Sequence, residues 1–354
     1  MKILHVITSL RTGGAEKLMV DLLPRMQREG HQVDLCVFDG VRTPFYEELE
    51  HYGVKIIPLG NSVYSPLHVF RLIPLLQQYD VVHAHNTACQ YGVAFASLFA
   101  SCRKFTTEHN TKNRRRSVLW KMVDRWMYGR YDGIVCISEL TQQNLLRHVG
   151  ECICQRCVMI YNGIDLTRFE AVAPKDVAAE SRKVVLMVSA FREQKDQKTL
   201  IKAMGLLSDD YVLLLAGAGE ETLMEDCRDL VEHLSLSSRV QFLGIRTDVP
   251  QLLQEADVVV LSSHYEGLSL SSLEGMASGR PFIASDVEGL CDIVGGYGVL
   301  FPHEDEHALA EAIKHVCEDK VYAAQVAERC QQRARMFDIN VMVRNYLSLY
   351  ESGV

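Results

Sequence analysis

Short apolar runs alternate with helix-like segments along the whole chain. The runs are rich in valine, isoleucine and leucine, and the segments between them space their apolar residues as helices do. This alternation predicts parallel sheets with helices on both faces, and two successive sets of strands predict two doubly wound α/β domains. The first set comprises residues 2–7, 33–38, 55–59, 80–83, 104–107, 133–138 and 157–161. The second comprises residues 184–189, 211–217, 240–243, 257–263, 281–285 and 298–301.

The domain boundary is predicted within residues 162–181, which begin with an Asn-Gly pair, end in small and charged residues, and so suit a linker. We expect an amino-terminal domain at residues 1–165 and a second domain at residues 166–335. Residues 336–354 should form a helix that packs back on the first domain, because apolar side chains recur there at helical spacing. These side chains are Ile339, Val343, Tyr346, Leu347 and Tyr350.

Composition indicates a soluble globular protein. Hydrophobic residues make up 48% and charged residues 23%, and no apolar run approaches the roughly 18 residues of a membrane span. The chain begins directly with a strand and shows no signal-peptide pattern, so a cytoplasmic location is expected. Eleven scattered cysteines are best explained as reduced thiols. Cys152, Cys154 and Cys157 with His148 are the one group that suggests zinc, and we assign no metal.

Charge divides the chain unequally. Up to Asp165 there are 19 basic and 15 acidic residues, whereas the remainder has 18 basic and 30 acidic residues. Much of the positive charge lies at 112–130, where basic residues flank an apolar stripe and predict an amphipathic helix. Two interpretations stay open for this helix: packing on its own domain, or peripheral contact with an anionic membrane or acceptor. No nucleic-acid partner is expected.

Two carboxylates at the end of a predicted strand are the strongest functional signal. Glu266 follows the apolar run 257–263, and Glu274 lies eight positions later in a predicted helix that a Gly-Arg-Pro sequence ends. In open α/β sheets, ligands bind at the carboxyl ends of strands. We therefore expect one acid or both to touch a polar ligand.

Other strand ends in the second half suit an anion such as a pyrophosphate. Gly217 and Gly219 could let a ligand approach the backbone, although a simple turn explains them as well. Arg192 and Lys195 place two cations after strand 184–189, where the alternative is a solvated loop. The amides of a predicted helix start and of Gly289 could also hold an anion. That helix start comprises Gly267, Leu268, Ser269 and Leu270.

In the first half, Gly13 and Gly14 follow the first strand, and His109 follows strand 104–107. His109 could donate to a substrate hydroxyl or phosphate, although a single histidine is often structural. His83 and His85 point to the same side of a strand, and we assign neither to the site.

Taken together, these motifs resemble the retaining glycosyltransferases of family 4, and the likeness covers nearly the whole chain. It rests on Gly-Gly-Ala-Glu at 13–16, Glu-His-Asn at 108–110, Asn-Gly-Ile-Asp at 162–165 with Phe169, and Lys195 before a Leu-Ile-x-Ala helix. Ala-Gly-Ala-Gly at 216–219 and the pair Glu266 and Glu274 complete it.

The resemblance implies a GT-B fold, in which two Rossmann-like domains face each other across a cleft. The second domain would bind a nucleotide-diphosphate sugar and the first a glycan or lipid-linked acceptor. Glu274 would accept from the ribose hydroxyls, Glu266 would contact the donor sugar, and His109 would face the reacting sugar. Arg192 and Lys195 would neutralise the diphosphate, although the family's arginine commonly stands where this chain has Ala190.

The expected function is transfer of a sugar with retained configuration, as in the assembly of surface polysaccharides. Cations and helix amides at the leaving diphosphate would stabilise the transition state, so neither a metal nor another cofactor is expected. A glycosidase is disfavoured. Retaining glycosidases need two carboxyl groups about 5 Å apart, whereas eight positions across a loop and a helix should separate Glu266 and Glu274 by more. A nucleotide-sugar 2-epimerase and an inactive sugar-nucleotide-binding subunit stay as alternatives. Location at the inner face of the membrane also stays open.

Overall fold

The structure, a computed structural model, describes residues 1–11, 13–109, 118–170 and 182–352. These residues form two compact units. Unit 1 comprises Met1–Gly163 and Ile339–Val354, and unit 2 comprises Ile164–Asp338. Each unit is built on a parallel sheet, so the predicted α/β class with two doubly wound domains is confirmed.

The observed strands correspond to the predicted apolar runs, with ends that shift by at most two residues. Unit 1 contains β1 (Lys2–Ile7), β2 (Gln32–Val37), β3 (Lys55–Pro58), β4 (Val81–His85), β5 (Arg103–Glu108), β6 (Gly133–Cys136) and β7 (Cys157–Met159). Unit 2 contains β8 (Lys183–Val188), β9 (Tyr211–Ala216), β10 (Val240–Gly244), β11 (Val258–Leu261), β12 (Phe282–Ser285) and β13 (Val299–Phe301).

Both sheets have their strands in a doubly wound order. Unit 1 has the order β3-β2-β1-β4-β5-β6-β7, and unit 2 has the order β10-β9-β8-β11-β12-β13. The order reverses between β1 and β4 and between β8 and β11, and ligands of open α/β sheets bind at such switch points. The central strands are mostly apolar because helices bury both of their faces, and the exceptions in unit 1 are the buried histidines of β1 and β4.

The helices connect the strands and cover the sheets. Those of unit 1 are α1 (Gly14–Arg28), α2 (Pro44–His51), α3 (Leu67–Leu76), α4 (Thr87–Ala96), α5 (Val118–Tyr128) and α6 (Glu139–Val149). Those of unit 2 are α7 (Thr167–Glu170), α8 (Gln197–Gly205), α9 (Glu221–His233), α10 (Val249–Glu255), α11 (Leu270–Ala277), α12 (Cys291–Val294), α13 (Glu306–Glu318) and α14 (Lys320–Ala334). The last helix, α15 (Ile339–Ser352), returns to unit 1.

The two faces of the unit 1 sheet differ in chemistry. One face is an apolar core in which Leu4, Val6, Val82 and Ala84 pack with side chains of α3, α4 and α5. The other face carries buried histidines, and tyrosines of α15 pack edge-on against them. The helix predicted to dock through an apolar face therefore also presents hydroxyl groups to polar partners in the sheet.

The predicted basic helix is present in part. Residues 110–117, which hold four of its basic residues, lie outside the described residues, and the described helix begins at Val118. In it, Met127 is buried, whereas Leu119 and Met122 are exposed. Among the described residues, no helix combines the length and the apolar character needed to cross a membrane.

Candidate functional site

Four loops of unit 2 leave the sheet at the carboxyl ends of neighbouring strands. They follow β9, β8, β11 and β12, which are adjacent in the sheet in that order. Their residues are 217–220, 189–196, 262–269 and 286–290. All predicted site residues of the second domain except Leu270 and Glu274 lie on these loops, and those two lie in the helix that follows the third loop. The parallel sheet thus gathers residues that are far apart in the chain.

The centre of this edge is an ion pair between two predicted site residues. Lys195 Nζ lies 2.5 Å from Glu266 Oε1, and the two residues follow β8 and β11, the strands that flank the switch point. Glu266 is 3% exposed. Ser263 Oγ donates to Oε1 at 2.7 Å, and Gln194 Nε2 donates to Oε2 at 3.0 Å. Oε1 thus has a charged and a neutral donor and Oε2 has a neutral one, which compensates for the desolvation of the buried carboxylate.

The same two loops are also joined through their backbones. Gln194 Nε2 donates to the carbonyl of Tyr265 at 2.8 Å, and the amide of His264 donates to the carbonyl of Gln194 at 2.8 Å. These contacts fix the loop that carries Lys195 against the loop that carries Glu266. Gln194 and Ser263 are not among the predicted site residues. Ser263 ends the predicted run 257–263 and Gln194 lies in the polar segment after the run 184–189, which is the sequence signal that they carry.

Gly217 and Gly219 allow two strand-end loops to touch. A Cβ atom at either position would lie 2.0 Å from a backbone oxygen, that of Ser189 or of Phe191. Phe191 and Gly219 also form an isolated parallel β-bridge. The sequence allows two roles for these glycines, close approach of a ligand or a simple turn. In the structure, the neighbouring backbone fills the space of their missing side chains. Their immediate task is loop packing.

Gly289 has a similar role beside Glu266. Its φ of +85° lies in the left-handed region that favours glycine, and a Cβ atom there would lie 2.2 Å from the carbonyl oxygen of Glu266. The amide of Glu266 donates to the carbonyl of Glu288 at 3.2 Å. The loop after β12 therefore supports the backbone that carries the buried carboxylate.

The start of α11 has the features of an anion-binding helix terminus. Ser269 occupies the N-cap position without capping the helix through its side chain, so the first-turn amides keep their hydrogen-bonding capacity. Leu268 is buried. Gly267 and Leu270 are half-buried, and Glu274 is half-buried in the second turn of the helix.

The two predicted cations have different environments. Arg192 is exposed, whereas the Lys195 side chain is 13% exposed and lies against Glu266. The amide of Lys195 donates to the carbonyl of Arg192 at 2.8 Å, so a tight turn joins the two residues. A lysine ammonium has three N–H donors, and the bond to Glu266 leaves others for an anion.

Unit 1 places its predicted site residues at the ends of β1 and β5. Gly13 and Gly14 mark the start of α1, and a Cβ atom at Gly14 would meet open space. His109 follows β5 and is half-buried, and its Nε2 lies 3.1 Å from Nδ1 of His85. Burial lowers the pKa of His109 to about 4, so the imidazole is neutral at ordinary pH.

One group of described residues brings potential metal ligands together. His264 Nδ1 lies 2.8 Å from His303 Nε2 and 3.3 Å from a carboxylate oxygen of Glu304. Hydrogen bonding accounts for this arrangement, and His303 and Glu304 are exposed. The cysteine group considered for zinc does not gather with His148, whose Nε2 instead bonds Asp124 at 2.7 Å.

Comparison with known proteins identifies the family. Residues 12–168 match the family model described as Glycosyltransferase Family 4, and residues 169–337 match the model described as Glycosyl transferases group 1. EpsD of Bacillus subtilis strain 168, a glycosyltransferase by its name, is 28% identical over 327 residues, which cover 84% of this chain and 84% of EpsD.

An Escherichia coli protein named UDP-Gal:alpha-D-GlcNAc-diphosphoundecaprenol alpha-1,3-galactosyltransferase is 24% identical over 348 residues, 91% of this chain and 89% of that protein. The crystal structure of Anabaena HepE in complex with UDP-glucose has a TM-score of 0.88 at 23% identity, and the match covers 99% of this chain and 100% of that one. The family and the fold expected from the motifs are thereby confirmed: the chain belongs to the family 4 glycosyltransferases and has their GT-B fold.

Proposed function

We propose that this glycosyltransferase uses a nucleotide-diphosphate sugar as donor and a glycan or lipid-linked glycan as acceptor, in the assembly of a surface polysaccharide or glycolipid. The observation that carries the proposal is the Lys195–Glu266 pair at the switch point of unit 2, beside the open amides of α11. The names of similar proteins support it. HepE is described with UDP-glucose, and the Escherichia coli relative is named for a UDP-sugar donor and a diphosphoundecaprenol acceptor.

In this proposal, the diphosphate lies between positive groups of unit 2. Lys195 keeps its bond to Glu266 and donates its other N–H groups to diphosphate oxygens, while Arg192 supplies a second cation from the exposed part of the loop. The amides at the start of α11 add the positive end of the helix dipole. Negative charge grows on the diphosphate as the bond to the sugar breaks, so these groups stabilise the transition state most. The reaction then needs no metal ion.

Glu266 is suited to orient groups rather than to attack the sugar. A nucleophile must reach the anomeric carbon, whereas this carboxylate is buried and accepts from Lys195, Ser263 and Gln194. We therefore propose that the acceptor hydroxyl attacks on the face from which the diphosphate leaves. The configuration is retained and no sugar ester forms on the enzyme.

The test is an assay of diphosphate release with and without acceptor. Purified protein is incubated with UDP-sugars chosen by thermal stabilisation, since a ligand that binds the native state raises its apparent stability. We expect acceptor-dependent release of UDP that persists in EDTA, and NMR of the product should show the anomeric configuration of the donor. Conversion of the donor alone into an epimer, or activity that EDTA abolishes, would contradict the proposal.

Glu274 is proposed to accept from the ribose hydroxyls. Glu274→Ala should weaken binding of both uridine and UDP by about 10- to 100-fold, because hydrogen bonds to a charged group are each worth about 1.5–3 kcal/mol. Lys195→Ala should weaken the binding of UDP and leave that of uridine unchanged. Isothermal titration calorimetry measures both, with Glu311→Ala on the exposed side of α13 as control. Unchanged uridine binding by Glu274→Ala would assign the ribose to another residue.

We also propose that α5 touches an anionic membrane when the acceptor is lipid-linked. Leu119 is 70% exposed and Met122 67% exposed on a helix that also exposes Lys121 and Arg125. Sedimentation with phosphatidylglycerol vesicles should be reduced several-fold by the double variant Leu119→Gln, Met122→Gln. The matched control is Val321→Gln, which changes a side chain of unit 2 that is 69% exposed. Equal binding by all three proteins would remove the membrane contact from the proposal.

A further inference from the structure

One face of the unit 1 sheet carries three fully buried histidines. His5 on β1 and His83 on β4 are register partners, and His85 follows two residues later on the same face. Their rings stack, with centroids 5.4 Å apart for His5 and His83, 5.2 Å for His5 and His85, and 4.6 Å for His83 and His85. Polar rings are costly to bury, so their hydrogen bonds define what the layer can do.

The hydrogen bonds divide the layer into two separate lines. His5 Nδ1 lies 2.9 Å from His85 Nε2, and His85 Nδ1 lies 3.1 Å from His109 Nε2. This first line runs from the buried end at His5 to the half-buried predicted site residue. His83 belongs to the second line, because its Nδ1 bonds the Tyr350 hydroxyl at 2.7 Å and its Nε2 bonds the Thr107 hydroxyl at 2.8 Å.

All rings of the first line are neutral. Burial lowers the pKa of His5 to about 3 and that of His109 to about 4, and it lowers the pKa of His85 well below its usual value. Each neutral imidazole carries one N–H and one bare nitrogen. Since each ring bonds the next, the protons along the line must all point the same way. Either every Nδ1 is protonated or every Nε2 is.

An unpartnered atom at the buried end decides between these two arrangements. His5 Nε2 is buried and has no hydrogen-bond partner among the described residues. If every Nε2 carried the proton, this atom would be a buried N–H without an acceptor, which proteins rarely tolerate. If every Nδ1 carries it, the unpartnered atom is a bare nitrogen. The second arrangement makes His109 Nε2 an acceptor and places the proton of His109 on Nδ1.

We propose that His5 and His85 are positioning residues that fix His109 as its Nδ1–H tautomer and so present that N–H to an oxygen atom of the sugar substrate. No described residue bonds His109 Nδ1, so the N–H is available in the ligand-free protein. The contact with the sugar rests on the function proposed above. The tautomer itself does not, since it is set by hydrogen bonds within unit 1. His109 then acts as a fixed donor and transfers no proton.

The direct test is the tautomer of His109 in the ligand-free protein. With histidine labelled with nitrogen-15, long-range correlation NMR distinguishes protonated from bare ring nitrogens, and His109→Gln assigns the signal among the 13 histidines. We expect a protonated Nδ1 and a bare Nε2. A protonated Nε2 on His109 would overturn the proposal, whether or not the protein transfers sugar.

Variants of His85 test the positioning role. His85→Phe should leave His109 as a mixture of both tautomers and lower kcat/KM for the donor about three- to tenfold, the loss of one neutral hydrogen bond. In His85→Asn, the single His109 tautomer and the wild-type kcat/KM should both return, because the asparagine amide can donate toward His109 Nε2. The matched control is His83→Phe, equally buried but on the second line, which should leave the His109 tautomer unchanged. A single unchanged tautomer in His85→Phe would overturn the positioning role even if transfer activity is present.

Discussion

Replacing Lys195 with alanine is expected to lower the turnover number of sugar transfer by about 100- to 1000-fold, the usual effect of removing one group that stabilises charge in a transition state. Among the described residues, this half-buried lysine is the cation that pairs with the Glu266 carboxylate. Its loss also leaves that carboxylate buried without its charged partner, which costs about 3–5 kcal/mol of stability. Steady-state kinetics well below the melting temperature separates the two effects.

Two further variants separate the effect on activity from the effect on stability. Lys198→Ala is the matched control, because Lys198 lies three positions on and its ion pair with Asp226 is exposed, with 45% and 54% of the side chains accessible. Exposed pairs contribute about 0–1 kcal/mol, so activity and stability should stay near wild type. The double variant Lys195→Ala, Glu266→Gln removes the unpaired charge and should regain stability without regaining activity. Turnover within tenfold of wild type in Lys195→Ala would exclude the leaving-group role.

Unit 1 is expected to lose stability steeply as the pH falls below about 6.5, the ordinary pKa of histidine. Burial lowers the pKa of His5 to about 3 and lowers the pKa values of His83 and His85 well below the ordinary value. Below about pH 6.5, the histidines of the unfolded chain therefore bind protons that those of the folded unit do not bind. The stability is complete above pH 6.5 and is lost progressively below it, down to the folded-state pKa values. Burial also lowers the pKa of His109 to about 4. Each of these four histidines contributes about 1.4 kcal/mol per pH unit, so together they contribute about 5.5 kcal/mol per unit.

Tryptophan fluorescence can follow this unit alone. The chain has two tryptophans, Trp120 and Trp126, and both lie in α5 of unit 1. Urea unfolding at about pH 7.5 and about pH 5.0 should differ by about 8 kcal/mol in the free energy of unfolding. His83→Phe should reduce the dependence by about one quarter, and His307→Gln, an exposed residue of α13, should not change it. A dependence below about 1.4 kcal/mol per pH unit would mean that the layer is protonated in the folded state.

The strands and their order along the chain were accessible from the sequence because the inner strands of each sheet, such as β4, β11 and β12, are buried on both faces. Burial on both faces makes a strand a continuous apolar run, which is a local signal. Strand ends were less accessible. The run predicted at residues 257–263 ends as β11 at Leu261. Beyond it, Ser262 Oγ donates to the carbonyl of Asp196 and Ser263 Oγ donates to Glu266 Oε1, so these two residues belong to the loop contacts of the site.

The histidines show the limit of local patterns most clearly. Period-two spacing placed His83 and His85 on the same side of a strand, but no local signal joined them to His5, which precedes them by about 80 residues and whose ring bonds His85. The register of β1 against β4 makes that contact. Neither His83 nor His85 is a predicted site residue, yet His85 contacts the predicted site residue His109.

Local sequence patterns are enough to give the α/β class, the family, and the strand ends that carry polar residues, because apolar periodicity and motif spacing are properties of neighbouring residues. The partners of those polar residues follow only from the fold. In the fold, the Glu266 carboxylate accepts hydrogen bonds from Lys195, Ser263 and Gln194. The backbone of a neighbouring loop lies close against each of the glycines at 217, 219 and 289. Hydrogen bonds and close approaches between distant residues depend on strand register and on the switch in strand order, and these exist only when the sheet is formed.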